Sequence, residues 1–237
     1  MIGKALSSDL LKIRGKGLWL LAAGAPLGLV ALMALNFGLR YDYFVNDYGH
    51  NLWGVLLEYT SYFVPVSLFL GCTLVSSLLA NVEHGTSSWK QLLALPISRL
   101  AVFSSKFAVS VLLLTSSCAL LAAGTAVLGF ALGSGGEMPV GGLLRLSFCP
   151  FLASWPMLAL MLWLCLSFKN QALPITFGVV ASVGSLFTMS LSEWLPLNWP
   201  AAAYRGDHAV LFVGAGIVFG MIILALGLLH FNRKDVE

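Results

Sequence analysis

The chain has 237 residues, of which 59% are hydrophobic and 10% charged, with a mean hydropathy of +0.90. Soluble domains devote about a quarter of their residues to charge, so a water-soluble globular protein is excluded. The net charge of +3 is small, and where the basic residues fall matters more than their sum.

At about 20 residues per bilayer crossing, the length accommodates six spans and little else. The fold class expected is an all-α integral membrane protein of six transmembrane helices, forming a single domain over residues 1–237.

Residues 1–16 come first. Ile2, Leu6, Leu10 and Ile13 fall on one helical stripe, with Lys4, Ser7, Ser8, Lys12 and Arg14 off it. This is the pattern of an amphipathic N-terminal interfacial helix, its basic residues among anionic headgroups. A cleaved signal peptide fits poorly, because the Ala23–Ala25 pair lies inside the apolar run and is followed by Pro26.

Span one is expected at 18–37, with Pro26 between Gly24 and Gly28 suggesting a kink or a close helix contact. Arg40 to His50 then form an aromatic, acidic loop. Two readings stand for Tyr41, Asp42, Tyr43 and Asp47. They receive a cationic amphipathic substrate by charge and cation–π attraction, or they form an aromatic belt at headgroup level. Glu58, near the start of span two at 57–80, is either an intramembrane functional acid or a hydrated interfacial one.

Residues 83–99 interrupt the apolar pattern. Ser88 and Gln91 make a capping box. Trp89, Leu92, Leu93 and Leu95 fall on one arc and Lys90, Gln91 and Ala94 on the other, a two-turn amphipathic helix that Pro96 ends. Ser98 can cap the next helix, which opens span three at 104–132. The Thr115-Ser116-Ser117 cluster in that span is expected to bond back to helix carbonyls. Gly133 to Glu137 read as a turn. Span four is expected at 148–168, a tight turn at Lys169–Gln171, and span five at 171–190. Residues 191–207, with Trp194 and Trp199 and two prolines, read as an extracellular re-entrant or interfacial segment. Span six is expected at 208–231, with a Gly216/Gly220 pair as a second candidate packing face.

Sidedness follows from the basic residues. Lys4, Lys12, Arg14, Lys16, Lys90, Arg99, Lys106, Lys169, Arg233 and Lys234 share one side under six spans, against Arg40, Arg145 and Arg205 on the other. Both the N and C termini are therefore expected to be cytoplasmic, with residues 83–99 beside them. Cys72, Cys118, Cys149 and Cys165 lie in or beside apolar spans and read as small packing residues. No phosphate loop, Gly-x-Ser-x-Gly or metal-spaced histidine set is present, so no catalytic residue and no metal site is expected. The mid-span positions lack the acids of an ion-coupled carrier.

Asp9-Leu10-Leu11-Lys12, Pro26, and the block Glu83-His84 to Lys90-x-Leu92-Leu93-Ala94-Leu95-Pro96-Ile97-Ser98-Arg99 followed by Lys106 resemble permease subunits of ABC exporters of the ABC-2 type. Within that class the Trp89-Lys90 pair and the Tyr-rich first loop resemble the lantibiotic-immunity branch. The resemblance implies that residues 83–99 carry a cytoplasmic coupling helix that docks on a separate ATP-binding subunit. Trp89, Leu92 and Leu93 would then be the anchors, with Glu83, Lys90 and Arg99 as polar contacts. It further implies two copies of that subunit holding ATP and Mg, and a second permease of the same or a related chain. The cofactors bind to the partner, and no nucleic acid is involved. The implied activity is expulsion of an amphipathic peptide antibiotic from a bacterial plasma membrane. Permeases for drugs, lipids or sodium share the scaffold, and a non-transporting sensor would keep the spans without needing the coupling helix.

Overall fold

The computed structural model describes residues 7, 9–11, 17–85, 99–188 and 192–233. The Ser88–Gln91 capping box, with Trp89, Lys90, Leu92 and Leu93, lies outside the described residues, as does most of the 1–16 segment.

In chain order the helices are α1 (Leu18–Leu39), α2 (Tyr41–Tyr48), α3 (Leu52–Gly85), α4 (Arg99–Ala131), α5 (Val140–Ala153), α6 (Trp155–Ser167), α7 (Ala172–Phe187), α8 (Trp199–Arg205) and α9 (Ala209–Arg233). The protein is an all-α membrane protein, but the expected six spans are not there. Among the described residues, α1, α3, α4 and α9 are long and apolar enough to cross a bilayer. Counting α5 and α6 as one broken span gives at most five.

The correction has two physical causes. The apolar run at 148–168 is not one helix: it is cut at Ser154, and the two halves meet at a bend of 46°. Pro156 supplies no N–H for the carbonyl four residues back and constrains the residue before it. Ser154 satisfies the break locally, its hydroxyl donating to the Phe151 carbonyl at 2.7 Å. The run expected at 171–190 forms α7, whose 16 residues rise about 24 Å, short of the ~30 Å of hydrocarbon. The assignment of both termini to the cytoplasmic face was built on six crossings and falls with that number.

Helix α3 is the axis of the bundle. It packs against α1, α4, α5, α6, α7 and α8. Its apolar window is 67% buried inside the protein, against 17–33% for α1, α4 and α9. α1 runs parallel to α4, with Val30 beside Gly124, and α4 runs antiparallel to α3, with Trp53 lying over Gly129. Lipid gives helices no hydrophobic reason to associate, so small residues that permit close approach carry the interfaces. Gly178 of α7 faces Thr73 of α3, and Gly227 of α9 faces Trp163 of α6.

The two glycine pairs divide. Gly216 and Gly220 of α9 press onto the α5–α6 break, against Ala153, Trp155 and Pro156. Gly24 and Gly28 of α1 have open space where a Cβ would stand, so that pair is not a packing face within the bundle.

A methyl at position 216 would stand 2.5 Å from the Ala153 Cα. Gly216→Ala is therefore expected to lower thermal stability in detergent by an overpacking cost of about 1–3 kcal/mol. Gly24→Ala, with room for its methyl and better helix propensity, should be neutral or stabilising by up to about 1 kcal/mol. Equal melting shifts for the two variants would contradict this packing.

Candidate functional site

Polar clusters lie at both ends of the bundle. The first joins the N-terminal segment to α4. Ser105 donates its hydroxyl hydrogen to Asp9 Oδ2 at 2.6 Å, and Lys106 Nζ stands 3.5 Å from Asp9 Oδ1. Lys106 is only 2% exposed. A buried ammonium is tolerated when a carboxylate and hydrogen bonds replace water, and Asp9 supplies the carboxylate. This links the 9–11 helical turn to the start of α4, beside the ends of the 86–98 stretch. The expected coupling residues Glu83 and Arg99 fall in the last turn of α3 and at the first residue of α4.

The opposite end carries the expected substrate contacts, and the structure separates them. Tyr41, Asp42, Tyr43 and Asp47 lie on α2 and are exposed. The helix is seated by Phe44, which stacks on Phe37 with centroids 4.1 Å apart and meets Tyr59 edge-on at 5.4 Å. Arg40 lies over the Tyr43 ring at 4.9 Å, and the Tyr41 hydroxyl donates to the Leu132 carbonyl at 3.4 Å. Burial of Phe44 thus sets which α2 residues face outward.

Glu58 belongs to a different group. It is exposed, one turn from Tyr62 on α3 and therefore on the same face. Arg205 of α8 lies over the Tyr62 ring at 4.3 Å, and Arg145 of α5 lies over Tyr204 at 5.9 Å. Burial raises the Tyr204 phenol above the usual tyrosine range. Arg145 opposes the shift, Glu58 adds to it and Arg205 opposes it. Glu58, Tyr62, Arg145, Tyr204 and Arg205 therefore form one cluster across α3, α5 and α8.

Sequence reasoning counted Arg145 and Arg205 as charges only and missed this grouping. It also missed the Asp9–Lys106 pair, although a lysine inside an apolar run signals a buried partner. Asp9 and Lys106 were both in the resemblance pattern, 97 residues apart, with nothing local to join them.

Among the described residues no three His, Cys, Asp or Glu side chains gather as metal ligands. What the arrangement offers is two charged ends separated by apolar helices. A family model described as ABC-2 family transporter protein matches residues 5–185, more than half the chain. No curated protein and no solved structure matches.

Two tests follow from this geometry. Asp9→Asn should destabilise the fold, since breaking a buried pair costs about 3–5 kcal/mol, and Lys106→Met added to it should restore most of the loss in a double-mutant cycle. Arg145→Gln removes a cation that favours the tyrosinate, so Tyr204 should ionise at still higher pH. The ultraviolet titration difference against Tyr204→Phe measures that shift.

Proposed function

This chain belongs to the ABC-2 family of transporter proteins, and from that premise we propose that it is the membrane-spanning half of an ATP-driven exporter of amphipathic peptides. Family membership makes it a multi-pass permease and implies an ATP-binding partner subunit. The finer reading, lantibiotic-type immunity in a bacterial plasma membrane, is supported by the residues that carry it in sequence: the Trp89-Lys90 pair and the aromatic, acidic first loop.

The observation that carries the coupling role is the convergence at one end of the bundle. α3 ends at Gly85, α4 begins at Arg99, and Asp9 is anchored to Lys106 near the same end. In this reading residues 83–99 form a coupling helix that seats in a cleft of the ATP-binding subunit, with Trp89, Leu92 and Leu93 as anchors. Glu83, Lys90 and Arg99 make polar contacts. The partner subunit, in two copies, holds ATP and Mg. A second permease, identical or related, completes the pathway. Closure of the ATP-binding subunits moves α3 and α4 through their connecting loop.

The substrate enters laterally from the bilayer, which suits apolar helices with charge restricted to their ends. Tyr41, Asp42, Tyr43 and Asp47 on α2 attract its cationic groups at the outer face by charge and ring-face contact. Glu58 contributes from the neighbouring cluster.

Co-purification of the tagged chain with a co-expressed ATP-binding subunit tests the coupling step. Retention by the native chain and loss from a folded Trp89→Ala, Leu92→Ala, Leu93→Ala variant is expected, because an interface-centre aromatic truncation costs about 2 kcal/mol or more. Unchanged retention would place docking elsewhere. Replacing Asp42 and Asp47 by alanine should weaken protection of cells against a cationic peptide antibiotic without lowering the yield of folded protein. Unchanged protection would remove α2 from the substrate path.

A further inference from the structure

Three of the helices that meet mid-bundle contain a proline: Pro26 in α1, Pro65 in α3 and Pro150 in α5. Each lacks an N–H, so the carbonyls four residues earlier, on Ala22, Ser61 and Leu146, lose their helical donor. In hydrocarbon such carbonyls need another partner, and hydroxyl side chains and ordered water are the usual ones.

A crevice opens where these helices meet α4. Pro26, Ser67, Leu114, Ser117, Cys118 and Ser147 are among its lining residues. Three hydroxyls and a thiol thus converge from α3, α4 and α5 inside an otherwise apolar bundle. Ser147 is decisive. It is fully buried at 0% exposure, and its Oγ has no hydrogen-bond partner among the described residues. A buried hydroxyl left unpaired is unfavourable, and Ser147 follows directly on Leu146, whose carbonyl is one of those freed by a proline.

The space open to the centre of a water-sized sphere in this crevice is about 20 Å³. One water needs roughly 10–15 Å³ by that measure and two to four polar partners. We propose that this crevice is a binding site for a single ordered water held by Ser147, Ser67 and Ser117 beside Pro26. The water accepts from the Ser147 hydroxyl, which otherwise has no partner among the described residues.

Radiolytic hydroxyl-radical labelling of the folded chain in detergent tests it, because radicals made from a bound water mark the side chains next to it. Cys72, Cys118 and Cys165 are all free and buried, but of the three only Cys118 lines the crevice, which makes Cys165 the internal control. The expected result is Cys118 labelling about 10-fold faster than Cys165, falling several-fold in Ser147→Ala while Cys165 is unchanged. Equal rates at the two cysteines would overturn the proposal. So would rapid Cys118 labelling that is insensitive to Ser147→Ala, since the water would then be reaching it from outside rather than resting on the serines. Should Ser147→Ala fail to fold, Ser117→Ala provides the same comparison from the α4 side.

Discussion

A helix in lipid gains nothing by turning an apolar side chain towards another helix rather than towards an acyl chain. The bundle therefore depends on contact close enough to improve on lipid packing, and α3 is where that contact is concentrated. Its neighbours approach it through glycines and small residues. Where a large side chain faces α3 or projects from it, the partner makes room: Trp53 lies over Gly129, and Thr73 faces Gly178. The long exposed faces of α7 and α9, carrying Phe177, Val180, Phe187, Val218 and Ile222, are what remains once the close contacts are made.

The same environment dictates how polarity is handled. Many hydroxyls along the helices turn back onto their own carbonyls. Thr60 donates to Leu56, Thr73 to Phe69, Ser110 to Lys106, and Ser182 to Gly178. Ser116, from the cluster singled out in sequence, donates to Leu113, as expected of a lone hydroxyl in an apolar helix. Among the described residues Asp9 and Lys106 pair at one end, and guanidiniums are laid over rings at the other. Arg40, Arg145 and Arg205 each lie over an aromatic face, where a weakly hydrated guanidinium gains from the ring quadrupole without leaving water entirely.

What could be read from the sequence, and what could not, divides along the range of the interactions. α1, α3, α4 and α9 were legible, because a long apolar run in a 237-residue chain of this composition has few other uses. The break at Ser154 was not. Hydropathy continues across it, and Pro156 signals a boundary without saying whether the helix bends or resumes. α5 was half missed because its first turns, Val140 to Arg145, are glycine-rich and carry a charge. Pairings across the fold were invisible in principle. Nothing near Asp9 announces Lys106, and nothing near Glu58 announces Arg145 or Arg205. The cluster on α2 was legible as a set of residue types, but its outward face depends on Phe44 finding Phe37 and Tyr59.

Helix α4 runs from Arg99 to Ala131 without a proline, unlike α1, α3 and α5. Its 33 residues rise about 50 Å, while the hydrocarbon layer is ~30 Å thick. An ordinary tilt of about 20° does not hide the excess, so the rod stands proud of the lipid. Tilting such a rod about its middle moves both of its ends. A rotation of about 5° there displaces an end some 25 Å away by roughly 2 Å, if the helix keeps its regular rise. A tilt of that size would shift Arg99 by a distance comparable to the radius of an atom.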